Sequence, residues 1–133
     1  MPIKNGKLIL QREVSDMSER FTVDPANLLS IGTVVALASS GSYEIVTSVG
    51  SSDIRTIGVV YSLDRTGNPF IALSGRCIVN VRGSVGKGDL LVLSSYNGML
   101  VSNNSASRQD VMAKALTTNS LQHGQVECVF MGM

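Results

Sequence analysis

The residues of this chain that could carry out chemistry are few and lie far apart in the sequence. His123 is the only histidine, and it follows a polar stretch and precedes Gly124. A nucleophile–base triad would need this histidine as its base, but a solvated histidine in a loop explains the same position. The ten acidic residues are scattered and contain no glycosidase-like carboxylate pair. We therefore expect no enzyme active site and no small-molecule substrate.

A glycine-rich stretch at residues 83–88 superficially resembles a phosphate-binding loop. Such a loop needs a glycine five residues before its Gly-Lys pair and a serine or threonine after it. Here Val81 stands where the first glycine is required, and Gly88 stands where the serine or threonine is required. The stretch also joins two predicted strands, with no helix N-terminus to bind a phosphate. We expect a purely structural role, in turns and bends, for five residues: Gly75, Gly83, Gly86, Gly88 and Asp89.

The two cysteines, Cys77 and Cys128, fit no metal-ligand spacing. Each lies in a predicted strand among valine and isoleucine, where a reduced cysteine behaves as a small apolar residue. With a single histidine and no acidic loop of EF-hand form, zinc and calcium sites also lack ligands. We predict two buried free thiols, no metal and no cofactor.

Composition restricts the classes of partner. The chain has 133 residues, of which 44% are hydrophobic and 16% charged, as expected for one globular domain. Its net charge of +1 and aromatic content of 5% give no indication of nucleic-acid binding. No apolar run approaches the ~20 residues of a membrane span. Residues 1–9 lack the apolar core of a signal peptide, so we expect a protein made in the cytoplasm.

The secondary structure that positions these residues is predicted most clearly over residues 76–93. There the sequence predicts a strand, a glycine turn and a second strand. In the first strand, apolar and polar residues alternate, which is typical of a half-buried strand. Arg76 and Arg82 belong to the polar side, either solvated or paired with acidic residues across a subunit boundary. The apolar run at residues 90–93 is predicted to be covered on both faces. The alternating side chains are Cys77, Val79 and Val81 on one face and Ile78, Asn80 and Arg82 on the other.

An internal repeat is the most informative feature of the sequence. Residues 31–60 and 87–116 share one order: an apolar strand, a glycine turn, a short strand, a serine-rich loop and a closing strand. The loops carry similar charged clusters, Asp53 with Arg55 in one and Arg108 with Asp110 in the other. We predict two similar β-units related by a pseudo-two-fold axis.

Nine or ten short strands separated by Gly, Ser and Asn turns indicate an all-β sandwich or barrel. We predict a small barrel of mixed strand order over residues 21–133, preceded by an extended N-terminal arm at residues 1–20. The spacing of Ser15, Ser18 and Glu19 favours a helical turn at the end of this arm. A frayed terminus and an arm that orders on a neighbouring molecule are the alternatives.

Residues 72–83, followed by residues 85–91, resemble a module of bacteriophage virion proteins. In that module a Leu-Ser-Gly-Arg-Val strand precedes Gly-Asp-Leu-Leu-Val, and an Ile-Gly-Lys-Ala-Leu element follows. Residues 111–116 take the place of the last element, with Ala113 in place of its glycine, and residues 56–60 match an Ile-Gly-Val-Val element. The resemblance runs from about residue 29 to the end of the chain. The module occurs in capsid cement or decoration proteins with a β-tulip-like barrel, and in tail-fibre proteins as a trimerising segment.

The resemblance implies a non-enzymatic virion protein on the outer surface of the capsid, assembled in the host cytoplasm. Its partners would be the major capsid protein and further copies of itself in a homotrimer, and it would stabilise the head by bridging neighbouring shell subunits. A tail-fibre or baseplate component is the alternative. We expect the arm to contact the capsid through Ile3, Leu8, Ile9, Leu10 and Arg12.

Overall fold

The computed structural model describes residues 17–24, 29–39, 41–47 and 55–131. The fold is all-β and contains a closed five-stranded barrel, which confirms the predicted fold class. No helix in these ranges is long and apolar enough to span a membrane. The described strands are β1 (Met17–Arg20), β2 (Val34–Leu37), β3 (Ile45–Thr47), β4 (Thr56–Leu63), β5 (Pro69–Arg82), β6 (Leu90–Leu93), β7 (Leu100–Ser102), β8 (Val111–Ala115) and β9 (His123–Phe130), with a 3-10 turn at Arg108–Asp110.

The closed barrel is built from the second half of the chain. The C-terminal part of β5 pairs with β9, β9 with β8, β8 with β6 and β6 with β7, all antiparallel. Val81 of β5 then pairs in parallel with Leu100 of β7 and completes the ring. Alternate side chains of these strands fill the interior, as the period-2 patterns require. Its buried residues include Cys77, Val79, Val81, Leu91, Leu93, Leu100, Ala113, Ala115, Val126, Cys128 and Phe130.

The first half of the chain repeats the same circuit. Strand β1 pairs with the N-terminal part of β5, which pairs with β4; β4 pairs with β2 and β2 with β3. Val23, just after β1, forms a parallel bridge with Ile45 of β3. This bridge corresponds to the Val81–Leu100 pair of the second unit. A separate apolar cluster fills this unit: Val23, Val35, Ile45, Ile57, Val60 and Ile71.

The strand registers of the two units correspond. Val35 pairs with Gly58, and the equivalent Leu91 pairs with Ala113. In both units the register shifts at the next residue of the strand. The repeat is longer than predicted, because each unit also includes the strand before and the strand after the aligned segment.

Strand β5 serves both units. It is one strand of 14 residues that continues through the expected bend at Ser74 and Gly75. Gly75 has a φ of +97°, which only glycine adopts without strain. Up to Ser74 the strand pairs with β1 and β4, and from Gly75 onwards with β9. Gly75 is therefore the point at which the strand passes from one unit to the other.

The two units pack through the outer face of the first. Val34, Val59 and Ala72 are neighbours across three strands, and their side chains join the core of the second unit. The backbone N–H of Val34 donates to the carbonyl of Gly98 at 3.0 Å, and that of Asn80 to Gly32 at 2.8 Å. Apolar burial and backbone hydrogen bonds thus join the units.

This packing corrects the prediction for residues 90–93. In β6 only Leu91 and Leu93 are buried, since Leu90 and Val92 lie on the outer face of the second unit. The strand covered on both faces is the equivalent β2, where Val34–Ala36 are all buried. The physical reason is that the second unit covers the outer face of β2.

The end of the predicted arm also differs. The predicted helical turn at Ser15–Arg20 is wrong over its described part, because Met17–Arg20 form β1 and pair with β5. The long-range ladder outweighs the local capping pattern, since a single isolated helical turn is unstable in water. Residues 1–16, which make up the rest of the predicted arm, lie outside the described residues.

Candidate interaction surface

Four of the five predicted structural residues lie in the connection from β5 to β6, and the fifth is Gly75. Gly75 lies within β5, and Gly83 and Gly88 have φ values of +82° and +91°. Gly86 and Asp89 are the ends of a tight turn, in which the Asp89 N–H donates to the Gly86 carbonyl at 3.0 Å. The stretch that resembles a phosphate loop is therefore a turn between strands.

Asp89 fastens this turn to the next strand. Its carboxylate accepts hydrogen bonds from the Gly86 N–H at 2.8 Å, the Ser102 hydroxyl at 2.7 Å and the Asn104 amide at 3.0 Å. These bonds, first the one from Gly86 and then those from Asn104 and Ser102, hold the pKa of Asp89 below its ordinary value. The charged Asp89 carboxylate therefore helps to hold the β5–β6 turn against the end of β7 and the residues that follow it in the second unit.

One exposed surface that combines apolar and charged side chains is the outer face of the β5–β9 pair, called here the β5–β9 face. Ile78 and Val129 are exposed towards one end of it, at 42% and 38% of their full surface. Both strands lie side by side over eight paired residues, from Gly75–Phe130 to Arg82–His123. The outward side chains are Arg76, Ile78, Asn80 and Arg82 from β5 and His123, Gln125, Glu127 and Val129 from β9.

Arg76 is paired within its own chain. Its guanidinium donates to one Glu127 carboxylate oxygen, with Nη2 at 2.6 Å and Nε at 3.1 Å. The alternative that Arg76 meets an acidic residue across a subunit boundary is not needed to pair this cation. Because both side chains are largely exposed, the ion pair adds only about 0–1 kcal/mol to stability. It does fix charges of both signs beside Ile78 and Val129.

The other end of the face carries an arginine, a tyrosine and the histidine. The Arg82 guanidinium lies 3.8 Å from the centre of the Tyr96 ring and also donates to Nε2 of His123. The Tyr96 and His123 rings are 6.4 Å apart. The prediction of His123 as a loop residue is wrong, since it is the first residue of β9. Its side chain is exposed, as expected for a solvated histidine.

In the middle of the face, polar side chains connect the two units. Gln125 Nε2 donates to the carbonyl of Ile31 at 3.0 Å and to Asn80 Oδ1 at 2.8 Å. The backbone of Gly32 lies close by, so that a Cβ there would come within 2.7 Å of Asn80 Oδ1. The β5–β9 face is therefore continuous with the junction between the units and is held rigidly.

Below this face, inside the barrel, the two cysteines are neighbours. Both thiols are free and buried, as predicted. Cys77 and Cys128 are direct partners across β5 and β9, and their sulfur atoms are 3.8 Å apart. Sharing its proton with the Cys77 sulfur, and then burial, raises the pKa of Cys128. The same hydrogen bond lowers the pKa of Cys77 against the effect of burial.

Other predicted residues fall in different places. Arg108–Asp110 form the 3-10 turn before β8, where Asp110 accepts a hydrogen bond from Ser107. Asp53 lies outside the described residues. The predicted capsid-contacting residues Ile3, Leu8, Ile9, Leu10 and Arg12 also lie outside them. Within the described ranges, no three His, Cys, Asp or Glu side chains are grouped as metal ligands.

Sequence reasoning did not single out Glu127 or Tyr96. Glu127 contacts Arg76 only because β5 and β9 pair, although the residues are 51 positions apart. The alternation of residues 125–130 does show that Glu127 faces outward, but no local signal identifies its partner strand. Tyr96 reaches Arg82 from the turn between β6 and β7, which is a tertiary contact.

The chain was also compared with known proteins. No protein-family model matches it, and no curated protein matches it either.

Proposed function

We propose that this protein is a non-enzymatic structural component of a bacteriophage virion, a capsid cement protein that binds the outer surface of the head and bridges neighbouring shell subunits. The observation that carries the proposal is the position of the virion-protein motif in the fold. Residues 72–83 and 85–91 form the part of β5 that passes between the two units, the turn fastened by Asp89 and the start of β6. The motif residues thus build the connection on which the tandem arrangement depends.

The β5–β9 face is the surface we assign to contact with the shell. Ile78 and Val129 supply exposed apolar area, and Arg76 with Glu127 supplies a fixed charged border. Protein interfaces commonly combine apolar area with polar and charged groups. A sheet face held by backbone ladders on a closed barrel also loses little conformational entropy on binding.

The N-terminal segment is the second contact. Met17 pairs with Ser74, and the last residue of β9, Phe130, pairs with Gly75. Met17, the first described residue, therefore lies beside the middle of β5, where this strand passes from one unit to the other. From there Ile3, Leu8, Ile9, Leu10 and Arg12 can reach a neighbouring subunit by adding a strand to an exposed sheet edge.

A homotrimer would carry three such faces and three such segments. Several weak contacts to neighbouring shell subunits then act together, because each bound contact raises the effective concentration of the others. Cementing requires this property, since the protein must hold adjacent subunits together rather than bind one of them tightly.

Binding to phage heads that lack the protein tests the proposal. Purified full-length protein should sediment with such heads and saturate at a fixed ratio to the shell subunit. A variant lacking residues 1–16 should keep the melting temperature of the barrel, because it retains β1, but should bind the heads at least tenfold more weakly. If the full-length protein does not sediment with the heads at any concentration, the proposal is wrong. If the shortened variant binds equally well, only the role of the N-terminal segment is wrong.

A further inference from the structure

We infer that Cys77 and Cys128 form a reversible disulfide that joins β5 to β9 when the protein is exposed to a peroxide oxidant. The two are the only cysteines of the chain. This inference concerns the barrel itself and holds whatever the protein binds.

The backbone already places the two residues at disulfide distance. Cys77 and Cys128 are direct register partners in an antiparallel pair. Such partners have Cα atoms about 4.5–5.5 Å apart, within the range of about 4.4–6.8 Å that disulfides span. The sulfur atoms need to approach from 3.8 Å to a bond length of about 2.05 Å. Rotation of the two side chains can supply this movement without changing the register.

The surroundings determine which oxidant can act. Cys77 is 3% exposed and Cys128 is fully buried, so a bulky thiol reagent has no access in the folded state. Hydrogen peroxide is small enough to enter during brief opening of the barrel. Cys77 is the residue to react first, because it is the more exposed and the thiol of Cys128 stabilises its thiolate.

The reaction balances in two steps. The Cys77 thiolate attacks one peroxide oxygen, the O–O bond breaks, and Cys77 becomes a sulfenic acid while hydroxide leaves and takes up a proton. The sulfur of Cys128 then attacks the sulfur of Cys77, the S–O bond breaks, and water leaves with the thiol proton. Overall, two thiols are oxidised to one disulfide and one hydrogen peroxide is reduced to two water molecules.

The disulfide would stabilise the closed barrel. It joins residues 51 positions apart, and closing a loop of that size raises the melting temperature by roughly 10 °C for a domain of this length. The equivalent pair in the first unit is Glu19 opposite Ile71, so the cysteine pair is a feature of the second unit alone.

Oxidation of the purified full-length protein tests the inference. After treatment with hydrogen peroxide, the monomer should lose the mass of two hydrogen atoms, and neither cysteine should react with N-ethylmaleimide after unfolding. Peptide mapping should find Cys77 linked to Cys128, and dithiothreitol should reverse both the link and the rise in melting temperature. The variants Cys77→Ala and Cys128→Ala are the matched controls and should show no such loss of mass.

Three results would overturn the inference. They are two alkylatable thiols after peroxide treatment, oxidation of Cys77 to sulfinic acid without a link, and disulfides only between chains. Because each can be observed with the wild-type protein, the test does not depend on whether the variants fold.

Discussion

Thr56 and Val111 occupy equivalent positions in the two β-units. Thr56 pairs with Ala36 and Val111 with Val92, in each case directly after the register shift. Thr56 is 4% exposed, and its hydroxyl has no hydrogen-bond partner among the described residues. The second unit has a valine at this position, where the side chain is half-buried.

Replacing Thr56 by valine should stabilise the protein. The substitution keeps the shape of the side chain and removes a buried hydroxyl whose unmade hydrogen bond costs about 1–3 kcal/mol. We expect the free energy of unfolding of Thr56→Val, measured by urea denaturation, to rise by about 1 kcal/mol. Thr33→Val is the matched control, because the buried Thr33 hydroxyl is bonded to Ser30 and should not be improved. An unchanged or lower stability for Thr56→Val would contradict this account.

Adding a methyl group to Gly58 should strongly destabilise the first unit. A Cβ at Gly58 would lie 2.4 Å from the carbonyl oxygen of Ala72 and 2.6 Å from Cγ2 of Ile71. Because the first contact is with backbone, β4 and β5 must separate, and we expect Gly58→Ala to cost about 2–4 kcal/mol. Gly86→Ala is the control, since its Cβ would meet only the Asp89 carboxylate, at 3.4 Å. Similar melting temperatures for the two variants would be inconsistent with the close contact.

Stability should fall in acid partly through Asp89. The hydrogen bonds from Gly86, Asn104 and Ser102 lower the pKa of this carboxylate in the folded state. A lowered pKa stabilises the fold above the unfolded value, near 3.9, and this contribution is lost as the pH falls through the lower folded value. Asp89→Asn should therefore be less stable than wild type at pH 7, and the difference should shrink in urea titrations at pH 3 and below. A difference that stays constant between these pH values would show that the charge of Asp89 is unimportant.

Asp64 allows the same measurement in the first unit. Its carboxylate accepts hydrogen bonds from Thr66 and Asn68 in the β4–β5 hairpin, and the bond from the Thr66 hydroxyl is the main cause of its lowered pKa. As with Asp89→Asn, the free energy of unfolding of Asp64→Asn should depend less on pH in the acid range than that of the wild type. If both variants keep the full pH dependence of the wild type, other groups control acid unfolding.

The β5–β9 face should be required for head binding but not for folding. Ile78→Thr with Val129→Thr keeps β-branched side chains and removes exposed apolar area, so the melting temperature should change by less than about 3 °C. Binding to phage heads should weaken at least tenfold, a loss of about 1.4 kcal/mol, because the two substitutions remove the exposed apolar area of the proposed contact. Leu63→Thr is the control, as Leu63 is 40% exposed at the end of β4 in the other unit. Equal loss of binding in the control would show that the face has no special role.

The sequence predicted the fold class because its local patterns are strong. The alternation at residues 76–82 correctly identified Cys77, Val79 and Val81 as the buried side chains. The repeat was visible because Val35 and Leu91 lie in similar apolar strands that face the same kind of partner.

The closing contacts could not be predicted in this way. Val23 meets Ile45, and Val81 meets Leu100, through parallel pairs between distant segments, and no local pattern specifies them. For the same reason the sequence places β1 in the arm, since its four residues acquire strand structure only by pairing with β5. The contacts of Arg76 with Glu127 and of Arg82 with Tyr96 likewise depend on which strands and turns become neighbours.

The most direct test of the cement proposal is the number of copies of this protein in purified phage particles, measured relative to the major shell protein by quantitative mass spectrometry. The account predicts a number comparable to that of the shell subunit, because a protein that bridges neighbouring subunits across the whole head needs that many copies. A few copies per particle would contradict it and indicate a tail-fibre or baseplate component instead. Absence from the particle would contradict both.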